Sequence, residues 1–121
     1  MSKTILVAED FDVSRKVIAK TLTTMGYNVL EAVDGQDASR YFDGRSIDLL
    51  VTDFNMPNIN GAELIELVRS KSQYEYMPIL LLTTEVREDK IKKALDASIT
   101  AWIKKPFDTD FFLKLVKKAL K

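Results

Sequence analysis

The feature that most constrains this chain is an alternation: five apolar runs too short for helices, each followed by a longer stretch with apolar residues at helical spacing. The runs are Ile5 to Ala8, Val29 to Ala32, Leu49 to Thr52, Ile79 to Leu82 and Ala101 to Ile103. Helices are expected over Val13 to Met25, Gln36 to Phe42, Gly61 to Ser70, Arg87 to Ala97 and Asp108 to Leu120. In the first, Val17, Ile18, Leu22 and Met25 form the expected apolar stripe, with Asp12 as N-cap and Gly26 as stop. In the last, Phe112, Val116 and Leu120 form the stripe, with Phe111 and Leu115 at its edge. Strands alternating with helices imply a parallel sheet covered on both faces, and an uninterrupted run such as Ile79-Leu80-Leu81-Leu82 suits a strand buried on both sides. The expected class is therefore α/β, a doubly wound parallel sheet of five strand-helix units. A length of 121 residues fits one domain over 1–121, and no repeat, linker or low-complexity segment divides it.

Charge and composition remove several function classes. Eighteen basic residues balance eighteen acidic ones, so no overall positive field favours nucleic acid or an anionic membrane. Met1-Ser2-Lys3-Thr4 leads directly into the first run, and no apolar run approaches the length of a membrane span; a cytoplasmic protein without membrane insertion is expected. Cysteine and histidine are both absent. This excludes thiolate and imidazole metal sites, a serine-histidine triad and a phosphohistidine on this chain.

Open parallel sheets carry their sites at the carboxyl ends of the strands. Asp53 closes the third run there, Glu9 and Asp10 follow the first, Thr83 the fourth, and Lys104 and Lys105 the fifth. Three carboxylates on one rim repel one another, so they must raise a pKa, spread apart or bind a cation. An oxygen-only donor set suits a hard divalent ion that keeps several waters, as Mg²⁺ does. Such an open site can also take a phosphate oxygen, which connects it to Asp53 as a nucleophile, since carboxylates form acyl phosphates. Lys105 can then neutralise a phosphoryl oxygen, Thr83 can donate its hydroxyl to another, and the Asn55 carbonyl can complete the metal shell. Taken singly, these residues have plainer readings. Asp53 is a solvated strand-end acid, Glu9 and Asp10 are charges favouring a helix start, and Thr83 is a β-branched strand residue with Thr84 as an equal neighbour. Without histidine here, any phosphoryl group must come from another protein or a small molecule.

In order and spacing, Glu9-Asp10, the D-x-x-M-P-x-x-x-G pattern from Asp53 to Gly61, Thr83, and Lys105-Pro106-Phe107 resemble the receiver domain of two-component response regulators over the whole chain. The resemblance implies a (βα)5 flavodoxin-like sheet of strand order 2-1-3-4-5 and a cis Lys105-Pro106 bond. It implies phosphorylation of Asp53 by a partner histidine kinase, with Mg²⁺ held by Glu9, Asp10, Asp53 and the backbone carbonyl of Asn55. Family spacing selects Thr83 over Thr84, and makes Thr83 and Trp102 the switch residues. It also makes Asn55 and Glu85 the residues that modulate self-dephosphorylation by water. On this reading the protein is a signalling switch and not an enzyme, catalysing only its own phosphoryl transfer and dephosphorylation. One departure is Ala97-Ser98-Ile99, where the family has a glycine-alanine turn, so that turn is expected to be built differently.

Thr83-Thr84-Glu85 and Trp102 to Phe107 look like the single-domain chemotaxis regulators that act on the flagellar motor switch. A regulator relaying phosphoryl groups to a phosphotransfer protein shares the pattern, and a phosphatase is a further implied partner. The output is expected to be binding, through an apolar patch of Ile91, Trp102 and Leu115 on the fourth helix, fifth strand and fifth helix. Lysines at 90, 92, 93, 117 and 118 near that face suit an acidic partner segment. Two other classes use related architecture. A haloacid dehalogenase-type phosphatase needs a second aspartate where Asn55 stands, and a flavodoxin-like FMN carrier needs a Ser, Thr and Gly-rich loop where this chain has Glu9-Asp10-Phe11-Asp12.

Overall fold

Each apolar run becomes a strand. The computed structural model describes residues 2–85 and 87–121, so Met1 lies outside the described residues. Chain order is β1 (Thr4–Ala8), α1 (Asp12–Thr24), β2 (Asn28–Ala32), α2 (Gly35–Ser39), β3 (Leu49–Asp53) and α3 (Gly61–Arg69). A 3₁₀ turn (Ser72–Tyr74), β4 (Ile79–Thr83), α4 (Glu88–Asp96), β5 (Ala101–Lys104) and α5 (Thr109–Ala119) follow. All strand pairs are parallel, in the order β2-β1-β3-β4-β5. The order implied by the family resemblance is the order observed.

Successive side chains of a strand point to opposite faces, so every run feeds two cores. Leu6, Leu50, Ile79 and Leu81 pack with Ala38 of α2, Leu64 and Val68 of α3 and Ile91 of α4. Ile5, Val7, Val51, Leu80 and Leu82 pack with Ile18 and Leu22 of α1 and Phe112 and Val116 of α5. Burying one such side chain is worth about 1.5–3 kcal/mol, which explains why the central strands read as unbroken hydrophobic runs.

Local chemistry sets most helix ends. α3 starts with a capping box in which Asn60 Oδ1 accepts from Glu63 N–H and Glu63 Oε1 accepts from Asn60 N–H. Asp108 caps α5 by accepting from Phe111 N–H, and Gly26 ends α1 with φ +94°. The start of α1 differs from expectation. Asp12 is its first residue and Phe11 occupies the N-cap without a side-chain bond, because the Asp12 carboxylate pairs instead with the Arg15 guanidinium at 2.6 Å. Its inward face also differs: Arg15, Ile18, Ala19 and Leu22 are buried, whereas Val17 is 60% exposed and Met25 is exposed as well. Spacings of three and four residues place 15, 18, 19 and 22 on one side, and a small residue and an arginine carry part of a stripe that was expected to be wholly large and apolar. α2 ends at Ser39, three residues short of the expected Phe42, yet Phe42 is buried edge-on against Tyr74.

The expected apolar patch on α4, β5 and α5 does not form one exposed surface. Ile91 is 0% exposed within the core under α2, α3 and α4, with Trp102 half-buried against it, while Leu115 packs into the core on the other side of the sheet. The turn after α4 was expected to be built differently for want of a glycine, yet a serine there takes up the left-handed conformation that glycine favours. Ser98 takes a left-handed φ of 62°, and the Arg69 guanidinium donates to the carbonyls of Ala97 (3.0 Å), Ser98 (2.9 Å) and Tyr74 (2.8 Å). The Lys105-Pro106 bond is cis.

At the carboxyl rim the registers Ala8 with Thr52, Asp53 with Leu82 and Thr83 with Lys104 bring the residues after β1, β3, β4 and β5 level. Gly61 brings the start of α3 against this rim. A Cβ there would lie 2.5 Å from the Asp53 carbonyl oxygen and 2.9 Å from Phe54 Cα, both backbone atoms. Gly61→Ala is expected to destabilise the fold by about 1–3 kcal/mol, read from urea unfolding, because the overpacking has no flexible side chain to absorb it.

Candidate functional site

β3 delivers Asp53 as its last residue, and its backbone is fixed from three sides. Phe54 N–H donates to the Leu82 carbonyl (2.8 Å), Gly61 N–H to the Phe54 carbonyl (2.8 Å), and the buried Thr52 hydroxyl to the Asp53 carbonyl (3.0 Å). The Asp53 residue is only 7% exposed. Lys105, leaving β5, places Nζ 2.9 Å from Asp53 Oδ1 and 2.8 Å from Glu9 Oε2. Glu9 is itself buried, and its other oxygen accepts from Phe11 N–H at 3.1 Å. Asp10 is exposed and completes the group: Glu9, Asp10 and Asp53 each offer a carboxylate oxygen, all within 4.8 Å of one another.

Thr83 is the last residue of β4 and fully buried, whereas Thr84 is exposed. Thr83 Oγ1 accepts from Glu85 N–H at 2.8 Å, and the Thr83 carbonyl accepts from Lys105 N–H at 2.7 Å. One threonine thus joins the exit of β4 to the exit of β5. Glu85 is half-buried and its Oε1 accepts from Arg87 N–H at 3.0 Å. Asn55 is exposed in the loop after Asp53, and among the described residues neither its side chain nor its carbonyl enters a hydrogen bond. Trp102 lies in β5, three residues before Lys105. Ile91 and Leu115 are not part of this rim; each packs in a core beneath it.

Burial pushes the Asp53 carboxyl above the ordinary carboxylate range; the Lys105 hydrogen bond and charge pull it down, and the charges of Glu9 and Asp10 push it further up. Burial disfavours the Lys105 ammonium, but its bonds to Glu9 and Asp53 outweigh that and hold its pKa above the usual lysine value. One ammonium therefore faces three carboxylates. An all-oxygen cluster with negative charge to spare fits a hard divalent cation, which Glu9, Asp10 and Asp53 would hold.

Arg15 is the residue that the sequence reading missed. It is 6% exposed, and Nη1 donates to the carbonyl of Glu9 at 3.0 Å. The available signal was its phase: three and seven residues before Ile18 and Leu22, it stands on the buried side of α1.

The raised Asp53 pKa fixes the sign of a pH effect. The native state holds this proton more tightly than the unfolded chain, so Asp53 lowers stability as pH rises through and above the ordinary carboxylate range. Asp53→Asn is expected to raise the melting temperature at pH 7 without divalent ions. That gain should shrink towards zero below about pH 4, where both states are protonated.

The family model described as the response regulator receiver domain matches residues 5–117. Chemotaxis protein CheY of Pseudomonas aeruginosa is 33% identical over 115 residues, covering 94% of this chain and 93% of that protein. The chemotaxis response regulator CheY4 of Vibrio cholerae superposes with a TM-score of 0.92 at 33% identity, covering 99% of this chain and 100% of that one. A receiver domain of a Pseudomonas aeruginosa sensor histidine kinase, solved with a magnesium ion coordinated in its active site cleft, shares the fold. Its TM-score is 0.90 at 24% identity, over 99% of this chain and 98% of that one. Sequence match and superposition span the strands and the rim alike, and the chain belongs to the response regulator receiver domain family.

Proposed function

We propose that this chain works over residues 1–121 as a single-domain response regulator that accepts a phosphoryl group on Asp53 from a partner histidine kinase. The observation that carries this reading is the Lys105 ammonium bridging Asp53 and Glu9, which keeps a buried carboxylate next to a fixed positive charge at an open strand end. An Asp53 oxygen attacks the donor phosphorus, the phosphorus-nitrogen bond to the donor imidazole breaks, and the imidazole leaves with its electron pair and a proton from solvent. Lys105 turns from Asp53 to a phosphoryl oxygen, retaining its charge throughout. Glu9, Asp10, Asp53 and the Asn55 carbonyl would hold a Mg²⁺, which would neutralise charge on the incoming phosphate. The acidic cluster supports that ion, as does the magnesium in the kinase receiver domain of the same fold.

The switch follows from Thr83. Thr83 Oγ1 accepts from Glu85 N–H, so a turn of the side chain that carries the hydroxyl to a phosphoryl oxygen gives up the 2.8 Å bond that holds the chain leading to α4. New charge and acceptor oxygens thereby bias an existing equilibrium of α4 and Trp102. Return is by hydrolysis: water attacks the phosphorus, Asp53 leaves as carboxylate, and Asn55 and Glu85 flank that approach and set its rate.

The two chemotaxis relatives, each 33% identical, support a role in chemotaxis; a flagellar motor switch is the target this reading proposes, with a phosphatase as a further partner. A non-chemotaxis regulator passing its phosphoryl group to a phosphotransfer protein is the second reading. No helix of the described residues is long and apolar enough to cross a membrane; a cytoplasmic location without membrane insertion is part of the proposal. Trp102 on β5 and Leu115 on α5, partly exposed on opposite sides of the sheet, are separate candidates for target contacts, while Ile91 acts from beneath by packing α4. Asn55 at the acid position counts against a dehalogenase-type phosphatase, and the acidic loop after β1 counts against an FMN carrier.

Incubation with a small acyl phosphate and Mg²⁺ is expected to give a labile phosphoryl adduct by intact mass, with a change in Trp102 fluorescence. Both should be lost in Asp53→Asn. No adduct with any donor or kinase, or an adduct surviving that substitution, sinks the reading; rapid turnover of phosphomonoesters would instead indicate the phosphatase. Thr83→Ala is expected to retain the adduct while losing most of the fluorescence change, which separates phosphoryl acceptance from switching.

A further inference from the structure

A buried charge costs several kcal/mol unless it is fully paired, so the location of Arg15 in the inward face of α1 calls for a reason. Its guanidinium makes three connections. Nη1 donates to the Glu9 carbonyl (3.0 Å), Nε to Glu31 Oε1 on β2 (3.2 Å) and Nη2 to Asp12 Oδ1 (2.6 Å). The Glu9 carbonyl belongs to the peptide unit that joins Glu9 to Asp10, so the orientation of that plane sets the directions of both acids. The loop then enters α1 through the ordinary first helical bond, Arg15 N–H to the Phe11 carbonyl at 2.9 Å. From the other side, Glu9 N–H is fixed to the Ala32 carbonyl of β2 at 3.2 Å. β2 also carries the anchor: Glu31 is shared by Arg15 and Lys16 (3.1 Å), and its carbonyl accepts from the Tyr41 hydroxyl at 3.1 Å.

We propose that Arg15 is a positioning residue that presets Glu9 and Asp10 for a divalent cation, so that it governs cation affinity and, through it, phosphoryl acceptance by Asp53. This rests on the reading of Glu9, Asp10 and Asp53 as a cation site. The planar, forked guanidinium reaches a carbonyl and two carboxylates at once, which the single ammonium of a lysine cannot do in the same plane. Groups that orient metal-bound side chains in this way are worth roughly 10- to 100-fold in metal affinity.

Mg²⁺ titration by calorimetry on the unphosphorylated chain separates this role from a merely structural one. Arg15→Lys is expected to weaken Mg²⁺ binding by about 10-fold or more. Its initial rate of phosphorylation by a small acyl phosphate should fall at low Mg²⁺ and return to the parent rate at saturating Mg²⁺. Glu31→Gln, which leaves Arg15 in place but loosens its anchor on β2, should give an intermediate loss. It also provides the same test if the Arg15 variant does not fold. Unchanged Mg²⁺ affinity in a folded variant, even with a lower melting temperature, overturns the proposal, as does a rate deficit that saturating Mg²⁺ fails to repair. Absence of Mg²⁺ binding by the parent chain overturns the cation-site reading itself, a result distinct from equal binding by parent and variant.

Discussion

The ammonium of Lys105 between Asp53 and Glu9 is the interaction on which the rest of the site depends. Without a cation there, burying two carboxylates beside a third would be opposed by both desolvation and like-charge repulsion. The contact joins residues 96 positions apart, and only the sheet makes it possible. Parallel registers bring the ends of β1, β3 and β5 to one rim, and backbone bonds at the strand exits do the remaining alignment. The fold's hydrophobic layers therefore serve an electrostatic end: they hold mutually repelling groups at distances the groups would not choose for themselves.

Thr83 links that cluster to the surface. Its side chain engages the segment entering α4 and its carbonyl engages the first residue after β5, so the two elements share one anchor. A chemical event that recruits the hydroxyl acts on the first of these connections while leaving the second intact. Ile91 follows the same logic. It was expected on the outside, but its full burial makes it the means by which α4 is seated on the sheet, so motion of α4 must be felt in the core.

Much of this was readable because the chain's two strongest signals, apolar runs and strand-end polar residues, occur side by side. Asp53, Glu9, Asp10, Thr83 and Lys105 each stand within two residues of the end of a run, so strand assignment located them. Strand order was not readable from the runs, since nothing local in a parallel strand names its neighbour; the resemblance supplied it. The inward face of α1 was misjudged because apolarity alone was counted, and Val17 and Met25 outweighed Ala19 and the aliphatic stem of Arg15. Asp12 was expected to cap that helix, but a nearby guanidinium competed for its carboxylate. The Ile91, Trp102 and Leu115 grouping failed for a geometric reason: residues on neighbouring elements can still belong to opposite sides of the sheet. Arg15 was overlooked because its phase on the inward side of α1 was not counted, and its bond to a backbone carbonyl has no signature of its own in sequence.

The turn at Ser98 has a mechanical consequence. Three hydrogen bonds from Arg69 tie the carboxyl end of α4 to α3 and to the 3₁₀ turn, while the amino end begins at Arg87 without a side-chain cap. α4 is a beam clamped at its far end and lightly held at the end nearer Thr83. A force applied at the rim would therefore meet the less restrained end of α4, with the Arg69-held carbonyls of Ala97 and Ser98 as the natural pivot at the other.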